Sequence, residues 1–319
     1  MELLSRIIFA AVGGGMGVNM KILNFGSLNI DYVYTVNHFV RPGETISSEQ
    51  LDIFPGGKGL NQSIALLRAG FPEMYHAGMV GKEDGKFLKN LLANNGVKVD
   101  LIKEVDSSSG HAIIQVDNQG ENCILLYGGA NQQFNKIFID DVLDGFQAGD
   151  YIVLQNEVNL LNYIMTSAKI RGLIIFFNPS PMNENIFKLP LQYVDYFILN
   201  EIEATELCNR KDVDNIIQLL SQTYPKANIV LTKGIKGVIF KDNNGEQLEH
   251  GVFDVKSVDS TAAGDTFTGY FIASIAKGEK PEKALDLASR AAALAVSKKG
   301  AEPSIPNLEE VLGSDLHIK

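Results

Sequence analysis

The chain has 319 residues, 45% of them hydrophobic and 21% charged, enough to bury a large core as one large α/β domain or two small ones. A formal charge of −10 and a pI of about 5.1 exclude the basic stripe that a nucleic-acid partner demands, and no basic amphipathic stretch suggests a membrane surface. Two distant cysteines, Cys123 and Cys208, and five scattered histidines lack metal-ligand spacing and fit free thiols in a reducing cytoplasm.

Residues 1–19 hold a short apolar run behind one Arg and one Glu. The run is too short to span a bilayer, and its start lacks the net positive charge of a signal peptide. Gly13–Gly17 is a glycine cluster in which Val18 breaks dinucleotide-loop spacing. The expectation is a disordered extension from an upstream start, with one domain over residues 20–319.

Lys21–Val33 reads as one long strand, on which Asn29 and Asp31 share a face. They are either the polar side of an edge strand or acceptors for hydroxyl groups. Val33–Phe54 has strand-turn-strand texture without helical periodicity. Phe54–Ser63 (FPGGKGLNQS) is a glycine turn feeding a helix over Asn61–Arg68 that ends at Gly70. It is not a Walker loop, because Gly59 rather than Ser or Thr follows Lys58. Its glycines would let backbone approach a polyhydroxy ligand, with Lys58 and Asn61 supplying hydrogen bonds; read alone, it is simply a turn.

His111–Tyr127 repeats the strand-turn-strand texture. Beyond it, the apolar runs Tyr151–Leu154, Leu173–Phe177, Tyr196–Leu199 and Ile229–Leu231 read as buried parallel strands. Helical stretches at Asn185–Leu191, Glu203–Cys208 and Asp212–Thr223 alternate with them. That alternation predicts an α/β fold, a doubly wound and mostly parallel sheet flanked by helices.

Val258–Phe271 (VDSTAAGDTFTGYF) carries the most chemistry. From Ala263, apolar residues recur at Phe267, Tyr270, Phe271 and Ile275, the spacing of a helix with one buried face. The first N–H groups of such a helix lack intrahelical partners and, with the helix dipole, attract an anion. Ala262, Ala263 and Gly264 leave that backbone open to a phosphate. Asp265 stands next, placed to take a proton from an attacking hydroxyl. A plain first-turn carboxylate explains the same residues, since acids are favoured there.

Taken together, the motifs are similar to those of the ribokinase (phosphofructokinase-B) family of sugar kinases. The resemblance rests on GSLNID at Gly26–Asp31, RPGET at Arg41–Thr45, GGKGLNQS at Gly56–Ser63 and GMVGKEDGK at Gly78–Lys86. It continues through GGAN at Gly128–Asn131, QNE at Gln155–Glu157, NPSP at Asn178–Pro181 and NEIE at Asn200–Glu203. LTKGIKG at Leu231–Gly237, STAAGDTFTGY at Ser260–Tyr270 and KKGAEPSIP at Lys298–Pro306 complete a co-linear series from about residue 20 onward. Leu60 departs from the small residue usual in the glycine turn.

The resemblance implies a small β-sheet lid, from about 33–54 and 111–127, over a sugar site, and pairing of lids in a homodimer. It implies transfer of the ATP γ-phosphoryl to the primary hydroxyl of a pentose, D-ribose foremost. The alternatives are a kinase for deoxyribose, fructose or a nucleoside, and a non-catalytic sugar-binding regulator. Carried over by position, Asn29, Asp31, Gly57, Lys58, Asn61 and Glu157 would hold the sugar. Asp265 would be the base, and Ala262, Ala263 and Gly264 the anion hole. Asn200 and Glu203 would stand near Mg2+ and the triphosphate. Thr232, Lys233, Gly234 and Gly237 would lie under the phosphates and ribose of ATP, and Ser289 beside the adenine. Asp259, Thr261, Ala295, Lys298, Gly300 and Ser304 would hold a monovalent cation, potassium. Simpler roles compete: Glu157 as an N-cap acid, Asn200 and Glu203 as a capping box, the 232–237 loop as a hairpin, and Asp259 as a turn residue.

Overall fold

The structure, a computed structural model, describes residues 20–210 and 215–319. The expectation for residues 1–19 lies outside the described residues, as does the start of the helix expected at Asp212. The first strands in chain order are β1 (Ile22–Phe25), β2 (Asn29–Thr35), β3 (Gln50–Gly56), β4 (Met74–Gly81) and β5 (Ile102–Val105). The lid strands β6 (Gly110–Val116) and β7 (Asn122–Tyr127) come next, followed by β8 (Tyr151–Gln155), β9 (Ile174–Asn178) and β10 (Tyr196–Asn200). The last three are β11 (Asn228–Thr232), β12 (Val238–Lys241) and β13 (Gln247–His250). Nine of these strands form one sheet in the order β13-β12-β11-β10-β9-β8-β1-β4-β5. Its pairings are parallel except β11–β12 and β12–β13.

Strand alternation divides the core in two. In β1, Ile22 packs into one hydrophobic cluster, and Leu23 and Phe25 into the other. The first cluster is covered by α1 (Lys58–Arg68), α7 (Ala263–Ala276) and α8 (Pro281–Val296), through Leu60, Ile64, Phe267, Phe271 and Leu285. The intervening helices are α2 (Lys86–Asn94), α3 (Lys136–Leu143), α4 (Leu161–Ile170), α5 (Glu201–Leu207) and α6 (Ile216–Thr223). Of these, α3 to α6 cover the opposite face through Phe138, Ile164, Ala204 and Ile216. A short α9 (Leu308–Leu312) follows. The doubly wound sheet expected from the alternating runs is the observed fold. No described helix is long and apolar enough to cross a membrane.

The remaining strands form a second sheet in the order β3-β2-β6-β7. Here the sequence reading needs correction, because Lys21–Val33 is not one strand. The chain leaves the large sheet after Phe25 and enters the small one at Asn29. The Asn131 side chain fixes this switch. Its Oδ1 accepts from the Leu28 N–H at 3.0 Å, and its Nδ2 donates to Asn29 Oδ1 at 2.7 Å. The jump carries Asn29 and Asp31 off the core sheet and onto the lid.

Two helix boundaries differ as well. α1 begins at Lys58, three residues before the expected Asn61, so the lysine itself opens the helix. Asn185–Leu191 is not a helix but falls in two short 3-10 turns, Glu184–Lys188 and Leu191–Tyr193. Pro190 separates them because it has no N–H to continue the first turn.

Candidate active site

Open parallel sheets present ligands beyond the carboxyl ends of their strands. There, Asn178 of β9, Ile198 to Asn200 of β10 and Thr232 of β11 face the start of α7, enclosing a cleft of about 190 Å³. Lys58, Glu203, Ala262, Gly264 and Asp265 also line it. Residues from five separate motifs thus meet in one cavity.

Asp265 is buried, and both its oxygens are engaged. Gln62 Nε2 donates to Oδ1 at 2.9 Å and Asn61 Nδ2 to Oδ2 at 3.1 Å. Helix packing explains the meeting. α1 and α7 touch where a Cβ on Gly269 would lie 2.4 Å from that of Ala65, so only glycine allows the approach. One turn earlier on each helix, Asn61 reaches Asp265.

The turn before α7 is strained in the way an anion site needs. Ala262 has φ 60°, unusual for a residue with a side chain. Ala263 donates to the Ser260 carbonyl at 3.2 Å, so its amide is not free as the sequence suggested. The amides of Ala262, Gly264 and Asp265 have no protein partner among the described residues. A Cβ on Gly264 would meet nothing within 4 Å. That open cradle fits a phosphate.

Charge balance around the cleft follows from position. Burial works to lower the Lys58 pKa, but Asp265, Glu157 and Glu203 outweigh it and raise it, so the ammonium stays charged. Burial raises the pKa of Glu157 despite the pull of Lys58 and its hydrogen bonds. Glu157 Oε2 accepts from the Ser27 hydroxyl and, at 2.9 Å, from the Lys58 N–H, the first amide of α1. The carboxylate therefore sits on the dipole of α1 rather than on the helix after its own strand. Asp31, on the lid, is pushed up to about 6 by burial and by Glu157. β3 leaves room for it: a Cβ on Gly56 would lie 2.1 Å from Asp31 Oδ2, a place only glycine can occupy. Asp31 and Glu157 thereby lie close at the junction of lid and body, where Gly57 packs on the Asn29 backbone, whereas Asn61 is tied to Asp265.

Asn200 and Glu203 form a full capping box on α5, each side chain bonded to the other's amide at 2.8–2.9 Å. Glu203 uses Oε2 for the box, its Oε1 accepts no hydrogen bond among the described residues, and the residue lines the cleft. Among the described residues no three His, Cys, Asp or Glu side chains could hold a metal ion together. A magnesium ion here would therefore be held by Glu203 with nucleotide phosphates and water, the sparse ligation that Mg2+ prefers. Thr232 reaches the cleft; Lys233, Gly234 and Gly237 do not line it. They close a tight turn in which Lys233 N–H donates to the Gly237 carbonyl at 2.8 Å. Ser289, half-buried on α8, also lies outside the cavity lining.

The residues read as a cation loop are brought together beside α7. Asp259 accepts from the Thr261 N–H and hydroxyl at 2.9 and 2.6 Å, and from the Gly300 N–H at 2.9 Å. Burial opposes ionisation, but these bonds outweigh it and hold the Asp259 pKa below its ordinary value. Lys298 and Ser304 donate to the Ala295 and Ala301 carbonyls at 3.1 and 2.8 Å.

A family profile described as "pfkB family carbohydrate kinase" matches residues 19–308. The chain belongs to the pfkB family of carbohydrate kinases. The ribokinase of Schizosaccharomyces pombe is 35% identical to this pfkB kinase over 313 residues, 92% of this chain and 98% of that one. A crystal structure of ribokinase from Cryptococcus neoformans in complex with ADP matches at a TM-score of 0.78 and 33% identity, covering 92% and 99% of the two chains. Arabidopsis thaliana ribokinase complexed with ribose and ATP matches at 0.81 and 26% identity, covering 92% and 97%.

Sequence reasoning missed several members of this pfkB kinase site. Asn178, Ser260 and Thr268 line the cleft, Gln62 binds Asp265, and Ser27 binds Glu157. Gln62 was within reach: it follows Asn61 at the start of a helix whose true beginning turns both side chains toward α7.

Proposed function

We infer that this chain transfers the γ-phosphoryl of ATP to the primary hydroxyl of D-ribose. The observation that carries the reading is Asp265, held by two side-chain amides beside free backbone amides and the Lys58 ammonium. Phosphoryl transfer depends mostly on positioning and charge stabilisation, which this arrangement supplies. Asn29, Asp31, Gly57, Asn61 and Glu157 hold the sugar, and Asp265 takes the hydroxyl proton. Lys58 and the amides of Ala262, Gly264 and Asp265 offset charge on the transferring group. Asn200 and Thr232 contact the nucleotide within the cleft, and Lys233, Gly234, Gly237 and Ser289, outside its lining, contact the part of the nucleotide that extends beyond it. Magnesium, when bound, screens the phosphate charge. The ribose- and ATP-bound Arabidopsis relative supports the choice of substrates.

A phosphotransfer assay over ribose, 2-deoxyribose, fructose and nucleosides tests the reading. Ribose is expected to give the highest kcat/KM; another best substrate would reassign the specificity, and binding without turnover would make the chain a sensor. Potassium should raise the rate above that in sodium or lithium, because the Asp259, Thr261, Ala295, Lys298, Gly300 and Ser304 loop stiffens the turn bearing the free amides. Equal rates in the three salts would leave Asp259 as a turn residue.

A homodimer through the lid completes the reading. β7 is an edge strand whose Ile124, Leu125, Leu126 and Tyr127 are all exposed, 51–67% accessible, and Leu51 and Ile53 are exposed on β3 at the opposite edge of the same sheet. Natural edge strands of this length and apolarity are covered. Light scattering should give twice the chain mass, falling to one with Leu125→Asp. A wild-type monomer would refute the pairing.

A further inference from the structure

We propose that Gln62 is a positioning residue for the base, and that a buried amide chain running across three strands of the sheet fixes its orientation. This role rests on the reading of Asp265 as the base. Several buried polar residues have no part in the mechanism above. His76 of β4, Asn24 of β1 and Gln155 of β8 are fully or almost fully buried. Asn24 is in register with His76, and Gln155 with Asn178, so a polar stripe crosses adjacent strands beneath α1.

The stripe is connected. Gln155 Nε2 donates to Gln62 Oε1 at 2.7 Å and to Asn24 Oδ1 at 3.1 Å. Asn24 Nδ2 donates to the Gly59 carbonyl at 2.8 Å and to Ser63 Oγ at 3.0 Å. Ser63 Oγ meets His76 Nδ1 at 2.8 Å. Burial pushes the His76 pKa down to about 4, so the ring is a neutral end to the chain.

Donor and acceptor chemistry gives the chain a direction. An ionised carboxylate only accepts, so Gln62 must present Nε2 to Asp265 and turn Oε1 inward. Oε1 then needs a donor, and Gln155 supplies one. This choice leaves Gln155 Oε1 buried with no partner among the described residues. An unpaired buried oxygen is costly, and the orientation persists because reversing it would aim the Gln62 oxygen at Asp265. Gln62 thus holds Oδ1 aside and leaves Oδ2, bound among the described residues only by the substrate-side Asn61, to face the sugar hydroxyl.

The charged groups facing Asp265 are Lys58 at the start of α1 and Glu157 beyond β8, with Glu203 of α5 beyond Lys58. Against that setting, Gln62→Leu removes the donor at nearly constant size. It should lower kcat ~10–10²-fold, at the low end of general-base effects, with the KM values for sugar and ATP changed less than about threefold. Gln62→Glu gives the sharper test. Two carboxylates sharing one site retain a proton to higher pH, and that proton restores the donor toward Asp265. The variant should work best at low pH and lose kcat as pH rises, a descending limb absent from the wild type. Gln155→Leu, which does not touch Asp265, should lower kcat about threefold to tenfold and serves if the Gln62 variants do not fold. A wild-type kcat in Gln62→Leu, or a Gln62→Glu profile parallel to the wild type, overturns the proposal. An active Asp265→Asn would instead overturn the base assignment beneath it.

Discussion

Replacing Asp265 by Asn is expected to lower kcat ~10²–10⁴-fold, the loss typical of removing a positioned general base. Ribose binding should stay within a few-fold of wild type, because Asp265 is not the principal sugar anchor. The fold should tolerate the change. Asn61 Oδ1 is buried with no partner among the described residues, so a flip of the Asn61 amide offers an acceptor to the amide group introduced at position 265. Gln62 keeps its bond to the remaining oxygen. Calorimetric titration with ribose, beside single-turnover rates, separates binding from chemistry. A near-normal kcat would remove Asp265 from the centre of the mechanism.

The sequence made the large sheet legible because buried parallel strands announce themselves as short apolar runs. Tyr151–Leu154 and Ile229–Leu231 are examples that the structure extends by a residue or two. It did not announce that the run from Lys21 changes sheets at Gly26–Leu28. Both halves of that run are apolar and extended, and the divider is a side chain, Asn131, about a hundred residues away. The site followed the same rule. Asp265, Gly264, Lys58 and Glu203 sit in compact local motifs and could be read from them. Gln155, Asn24 and His76 look like ordinary strand residues until the sheet order aligns them. Glu157 reads locally as a cap for its own following helix, since only the fold brings the start of α1 to it.

Asp31 offers the second large effect. Its position on the lid, against Gly56 and close to Glu157, raises its pKa to about 6 before any ligand arrives. A sugar that donates a hydroxyl hydrogen bond to each of its two oxygens needs the ionised form, because protonation turns one of them into a donor. Ribose kcat/KM, which reports the free enzyme, should therefore fall about tenfold per pH unit below about 6 and level off above it. Hydrogen bonds to charged groups contribute about 1.5–3 kcal/mol each, so Asp31→Ala should lower ribose kcat/KM ~10²-fold if two hydroxyls are read. Wild type should prefer ribose to 2-deoxyribose at least ~10-fold, one step of about 1.4 kcal/mol, and the variant should lose most of that preference. Stability runs the other way. A carboxyl whose folded pKa lies above its ordinary value of 3.8 favours folding more as pH falls through about 6, and its ionised form is a burden at pH 7. Asp31→Ala should thus melt no lower than wild type at pH 7, which separates a binding defect from a folding one. Equal use of both sugars by the wild type, with no acid limb near 6, would show that Asp31 does not read the hydroxyls and would move the substrate to another member of the family.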